Sequence, residues 1–296
     1  MIRRRSGIFL LALLLLAAAA AAASEPAELL AEARRGGAYR LPERSAVERA
    51  QLLFERTLGG ESGPALVAAW AEEGFEMLAL DRPGQRLLAL RELPGRKSGR
   101  GFYLLRPAAA CRLAWQAPHS FRDLDTGDLA LALMLEGEAA AAAWNTVPRD
   151  QVLAAGRQQS DLAHQRQSIL AAFSRAFARV YPDGRLVQLH GFAAENRRTE
   201  AAGQAALILS AGHRYPGPGL RTARSCLGQR LDDPVRLFPD EVRELGGTGN
   251  SIGAVLREAG FAGFVHAELA LQLRRRLGTN PAARNDFQAC FCTGGP

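Results

Sequence analysis

Residues 185–191 read Arg-Leu-Val-Gln-Leu-His190-Gly, and residues 263–268 read Gly-Phe-Val-His266-Ala-Glu268. Each is a short apolar run that ends in polar, chemistry-bearing side chains, the pattern of a buried strand whose last residues leave the core. Residues 111–123 repeat it: Cys-Arg-Leu-Ala-Trp-Gln-Ala-Pro-His119-Ser-Phe-Arg-Asp123. Longer segments of helical periodicity separate the three, so they are joined by helices rather than hairpins. Strands alternating with amphipathic helices predict an α/β fold, a mixed and mostly parallel sheet with helices on both faces.

Working outward, the periodicity predicts further strands over residues 141–145 and 206–209. Helices are expected over 26–35, 46–58, 128–136, 161–181, 250–259 and 269–277. Residues 75–80, 86–90 and 102–105 are short apolar runs. The Asp-Arg-Pro-Gly of residues 81–84 and the Leu-Pro-Gly of 93–95 are turn sequences, so this region reads as a small meander. There is no internal repeat. Residues 24–110 therefore form a helical and β embellishment, and 111–296 the catalytic α/β part of a single domain.

Residues 1–23 stand apart. Arg3, Arg4 and Arg5 precede an apolar run and an alanine tract ending at Ala23, the layout of a cleavable secretory signal. No later stretch is long and apolar enough to span a bilayer. The expected location is the bacterial periplasm or the exterior, with no stable membrane insertion once the signal is removed. An oxidising compartment favours disulfides between Cys111, Cys226, Cys290 and Cys292. Cys290 and Cys292 are too close to close a comfortable loop together, so each is expected to take a distant partner. The 37 basic and 30 acidic residues give a net charge of +7. Loss of the three signal arginines lowers this to +4, and all basic residues but Lys97 are arginine. That bias reads as background composition, and aromatics at 7% are too sparse for base-stacking platforms. No nucleic-acid partner is expected.

Only five histidines are present: His119, His164, His190, His213 and His266. All but His164 fall at or just after predicted strand ends, where the loops of an open α/β sheet form a ligand crevice. A hydrolytic zinc site needs three His or carboxylate ligands, an open position and a carboxylate base. His119 and His190 would supply two ligands. Asp123, or alternatively Asp125, would supply the third from the His119 loop. Glu268 would be the catalytic base, with Zn2+ as cofactor. Arg122, Arg149 and Arg197 are candidates for gripping a substrate carboxylate through a bidentate fork. His266 shares a strand face with Glu268 by the two-residue period and is a candidate pocket wall. Asp161 and His164 lie three apart and can meet on one helical face. The Gly-Gly-Thr-Gly-Asn of residues 246–250 lacks the lysine of a phosphate loop and reads as a crossing of the pocket mouth. No Gly-x-Ser-x-Gly elbow occurs, so a serine hydrolase is not indicated.

This order of motifs resembles the zinc carboxypeptidase superfamily, which includes N-formylglutamate amidohydrolases and poly-γ-glutamate hydrolases. The resemblance covers roughly residues 111–277. It rests on Pro118-His119 with Asp123, on His190 in Gln188-Leu-His-Gly, and on Glu268 in Val265-His-Ala-Glu-Leu. Where the carboxypeptidase signature places its ligand glutamate this chain has Arg122, and the carboxylate is displaced to Asp123. The resemblance implies an exported zinc hydrolase cleaving an amide bond in a small-molecule or peptide substrate that bears a carboxylate. The alternative from another class is a non-catalytic envelope protein whose polar pocket binds an anion.

Overall fold

The computed structural model describes residues 25–82, 84–107, 109–151 and 160–292. Residues 1–23, expected to be a secretory signal, lie outside the described residues. The chain opens with helices α1 (Pro26–Ala33), α2 (Arg44–Leu58) and α3 (Pro64–Glu72), then strands β1 (Phe75–Arg82), β2 (Gln85–Glu92), β3 (Phe102–Leu105) and β4 (Cys111–Ala117). Next come α4 (Thr126–Glu136), β5 (Ala139–Trp144), α5 (Ile169–Val180), β6 (Arg185–Phe192), α6 (Glu200–Gly203) and β7 (Leu207–Ser210). The last third holds α7 (Pro218–Arg230), β8 (Val235–Leu237), α8 (Ser251–Glu258), β9 (Phe264–Ala270), α9 (Leu271–Thr279) and α10 (Pro281–Ala289).

One nine-stranded sheet runs in the order β1-β2-β3-β5-β4-β6-β9-β7-β8. The expected mixed α/β sheet is thus present. Its centre, β5-β4-β6-β9, is parallel. Antiparallel pairing enters where the β1–β3 meander adds to the β5 edge and where β7 runs against β9. Because side chains alternate across a strand, each central strand supplies both faces. Val187 and Val265 face a core built with α1, α4, α7, α9 and α10, while Leu186 and Phe264 face one built with α2, α3, α5 and α8. Five residues continue that second face: Gln116 on β4, Gln188 and His190 on β6, and His266 and Glu268 on β9. All five are buried.

The predicted helix over 161–181 is divided. Residues 162–164 make a single 3-10 turn, and α5 starts only at Ile169 because the Ser168 hydroxyl caps it by accepting from the Ala171 N–H at 3.1 Å. The strand expected over 263–266 runs on to Ala270, so Glu268 stands within a strand and not in a helical first turn. Helices α3, α7 and α10 were not anticipated. Each opens on a proline in its first turn, a start signal that periodicity alone overlooks.

Cys111 pairs with Cys292 and Cys226 with Cys290, so each of the two C-terminal cysteines takes a distant partner. The bridges tie the end of α10 to the start of β4 and to α7, beside a stack of Trp115, Phe287 and Phe291. Among the described residues no helix is long and apolar enough to cross a membrane. The Cys226–Cys290 bridge spans 64 residues, and its removal releases loop entropy in the unfolded chain. Replacing both cysteines by alanine should lower unfolding free energy by about 2–4 kcal/mol in urea titrations, with the α/β circular-dichroism spectrum unchanged.

Candidate metal centre

The parallel register places β6 and β9 side by side, with His190 opposite Glu268 and Gln188 opposite His266. β4 ends one strand away, and the chain turns after Pro118 to bring His119 and Asp123 over the same strand ends. That turn is held from three sides. The Asn145 side chain accepts from the Ser120 backbone N–H at 3.0 Å and the Ser120 hydroxyl at 2.7 Å. The Asp123 carbonyl accepts from the Thr126 hydroxyl at 2.6 Å. Arg274, buried, donates to the Leu124 carbonyl and lies across Gly191, where a Cβ would collide with its guanidinium.

Asp123 Oδ2 lies 3.3 Å from His190 Nδ1 and 3.7 Å from His119 Nδ1. The opposite ring nitrogens are already engaged. His119 Nε2 is 2.8 Å from Asp161 Oδ1, and His190 Nε2 is 3.3 Å from Gln188 Oε1. A carboxylate and an amide oxygen only accept, so both Nε2 atoms carry the proton and both Nδ1 atoms are left with lone pairs. Three acceptors therefore converge, two imidazole nitrogens and a carboxylate oxygen, the residue types that a three-ligand zinc site uses. Arg149 Nη1 donates to His119 Nδ1 at 3.0 Å, so a cation binding there would displace this hydrogen bond. A second grouping of His119, Asp161 and His164 has donor atoms equally close. It fits a cation poorly, because Arg149 Nη2 already neutralises Asp161 at 2.6 Å and His164 is half exposed.

Burial opposes the Asp123 charge, but His119 and His190 outweigh it and hold the carboxyl below the usual range. Asp161 behaves alike, with His119 and His164 outweighing burial. Burial, reinforced by His266, pushes His190 down to about 4. His119 faces the same Asp123 yet moves the other way. Burial disfavours its protonation, but it has two carboxylates, Asp123 and Asp161, and these raise its pKa. Glu268 is buried, and His266 and His190 overcome the burial cost and lower its pKa, so it is ionised at neutral pH. His266 Nε2 stands 3.0 Å from Glu268 Oε1 and orients it.

These groups line a cleft of about 340 Å³ with Arg149, His164, Leu245, Gly246, Gly247, Gly249 and Asn250. The glycine-rich segment does cross its mouth. The Ser210 hydroxyl pins the Gly246 carbonyl at 2.6 Å, and Gly247 has a positive φ of 58°. A Cβ on Gly247 would stand 2.6 Å from His266 Cγ, so no larger residue fits there without displacing the ring.

The structure thus brings together His119, Asp123, His190, His266, Glu268 and Arg149. Asp125 is exposed and occupies the cap of α4 with φ 68°, outside the donor set, which leaves Asp123 as the acid of that loop. Arg122 is exposed and pairs with Asp150, and Arg197 lies 3.8 Å from Glu244. Neither lines the cleft. His213 follows β7, which runs antiparallel to β9, so its strand end faces away from the crevice. Sequence reading missed Gln116, Gln188 and Asn250; a glutamine inside each of two apolar strands was the available signal.

The depressed His190 pKa has a stability consequence. Between about 6.5 and about 4 the unfolded chain binds a proton that the metal-free folded protein refuses. Stability from this group is complete above pH 6.5 and is lost as pH falls towards 4, by about 3 kcal/mol. His119 contributes with the opposite sign, so the two must be separated. His190→Gln should flatten the acid-side slope of denaturation free energy across that window, measured on chelator-treated protein.

No protein-family model and no curated protein sequence matches the chain. Among solved structures, it is similar to a bacteriophage poly-gamma-glutamate hydrolase at 10% identity, over 60% of this chain and 80% of that one, with a TM-score of 0.39. It is similar to a candidate carboxypeptidase from Burkholderia mallei at 11% identity, over 78% and 68% of the two chains, with a TM-score of 0.40. A candidate metallopeptidase from Shewanella amazonensis is similar at 14% identity, over 82% and 94%, with a TM-score of 0.32.

Proposed function

We propose that this chain is an exported, carboxypeptidase-like zinc hydrolase that cleaves an amide bond. The observation that carries the reading is the convergence of His119 Nδ1, His190 Nδ1 and Asp123 Oδ2 in a cleft that also holds an ionised Glu268. Zinc held by His119, Asp123 and His190 would supply Lewis acidity to the scissile carbonyl and the attacking water.

The chain's own groups do the rest. Glu268 accepts the proton from the attacking water and returns it to the leaving amine, so the carboxylate is regenerated with each turnover. His266 keeps that carboxylate aimed along β9. Asp161 holds the His119 ring with Nδ1 towards the cleft, as a carboxylate partner does for a ligand imidazole. Among the described residues Arg149 is the arginine that lines the cleft, and it is the group to bind a substrate carboxylate. Its guanidinium, already anchored on Asp161, has further N–H groups to offer. A small cleft lined, among the described residues, by no Phe, Tyr or Trp suits peptides, acyl-amino acids or cell-wall fragments with compact or polar groups at the cut. Export rests on residues 1–23 and agrees with the two disulfides.

Protein purified under mild conditions should carry about one equivalent of zinc by elemental analysis, lost in His119→Ala and in His190→Ala. A metal-free native protein would instead favour a polar anion-binding pocket. Glu268→Gln should keep the zinc and lower hydrolysis of N-acyl-amino acids or dipeptides by about 10²–10⁴-fold; release of the metal would make Glu268 a ligand and not the base.

A further inference from the structure

A chain of buried amides runs beneath the cleft, and its direction can be read from both ends. At one end the Gly253 backbone N–H donates to Asn250 Oδ1 at 3.0 Å, capping α8. Asn250 must then present its Nδ2, which donates to Gln188 Oε1 at 2.6 Å. Gln188 Nε2 donates to Gln116 Oε1 at 2.8 Å, and Gln116 Nε2 to Ser174 Oγ at 2.9 Å. At the other end the Ser174 hydroxyl donates to the Leu170 carbonyl at 2.8 Å, leaving its oxygen free to accept. The backbone N–H of Gly253 can only donate, which fixes the orientation of every amide along the chain, and the Ser174 hydroxyl, turned to a carbonyl that can only accept, meets the last of them as an acceptor. Gln116, Gln188 and Ser174 are wholly buried and Asn250 is nearly so, so reversing one member would leave acceptors facing acceptors in a site without water.

The one branch of this chain reaches the candidate metal centre, because the second lone pair of Gln188 Oε1 takes His190 Nε2 at 3.3 Å. We infer that Gln188 is a positioning residue: the amide chain Asn250–Gln188–Gln116–Ser174 locks its oxygen towards His190, fixing the Nε2–H tautomer and turning Nδ1 to the donor set. The inference deepens the zinc reading and rests on it for its purpose. Its geometric content, the tautomer of His190, is independent of any metal. Unlike Asp161 beneath His119, Gln188 brings no charge, so His190 is oriented without gaining a carboxylate partner on that side.

The test compares the parent with Gln188→Met, Gln188→Glu and Gln116→Met. Two-bond ¹H–¹⁵N spectra of the metal-free proteins report the His190 tautomer, and chelator competition with zinc reports affinity. The parent should show His190 protonated on Nε2. Gln188→Met should populate the other tautomer and weaken zinc about 10–100-fold. Gln188→Glu keeps an acceptor over Nε2, with Gln116 able to turn its amide end for end, and should restore both readouts. Gln116→Met touches neither His190 nor the donor set and leaves Asn250 holding the Gln188 oxygen, so it should keep the parent tautomer and zinc affinity; the parent tautomer alone keeps the inference testable if Gln188→Met does not fold. Nδ1 protonation in the parent, parent-like tautomer and affinity in Gln188→Met, or the same shift in Gln116→Met as in Gln188→Met, would overturn the inference. Should the parent bind no zinc while its tautomer shifts as described in Gln188→Met, the positioning role stands and the metal reading falls.

Discussion

Everything in the cleft depends on burying polar side chains within a sheet that is covered on both faces. β4, β6 and β9 pair in parallel with Gln116, Gln188 and His266 in one row, and with His190 and Glu268 in the next. A polar group placed there without a partner costs on the order of 1–3 kcal/mol, so the row is viable only if its members satisfy one another. Most of this is met through the Asn250–Gln188–Gln116–Ser174 chain and the His266–Glu268 pair, while His266 Nδ1 is buried without a hydrogen-bond partner among the described residues. What the network leaves over is a set of three converging acceptors on His119, Asp123 and His190. Arg149 donates to one of the three, His119 Nδ1, and a cation bound there would take that donor's place.

The two histidines of the set are held by opposite means. His190 stands on a strand, flanked by packed neighbours and an uncharged amide, and burial keeps it neutral. His119 stands on a turn and is held by carboxylates on both sides, which raise its pKa. The turn is held by Asn145 beneath Ser120 and by Arg274 reaching across Gly191 to the Leu124 carbonyl. On the far side the glycine-rich segment approaches the His266 ring closely because Gly247 has no side chain. It is fastened by Ser210. A site divided among five elements thereby acquires one geometry.

The sequence was legible where a residue's role follows from its own strand. Apolar runs closed by His190 and Glu268 marked strand ends, and the two-residue period put His266 on the face of Glu268 before any contact was known. Legibility failed where a role depends on direction or on a distant partner. His213 closes a strand as His190 does, yet β7 runs antiparallel and carries it away from the crevice. Arg122 and Arg149 were equivalent candidates by composition; the turn after β4 leaves the first in solvent with Asp150, and the segment after β5 returns the second to Asp161. Gln188 was hidden because a single glutamine in an apolar run does not disclose its partner.

By itself, then, the sequence determined the α/β class, the strand ends that carry chemistry and the residue types able to form a zinc-like donor set, since these follow from periodicity and from intrinsic ligand chemistry. Only the tertiary structure decided the choice of Asp123 over Asp125, the disulfide pairing, the arginine of the cleft and the ring nitrogens that face it. Those depend on register and strand direction, which bring together residues far apart in sequence, and on hydrogen-bond polarity, which passes from one buried amide to the next only once they touch.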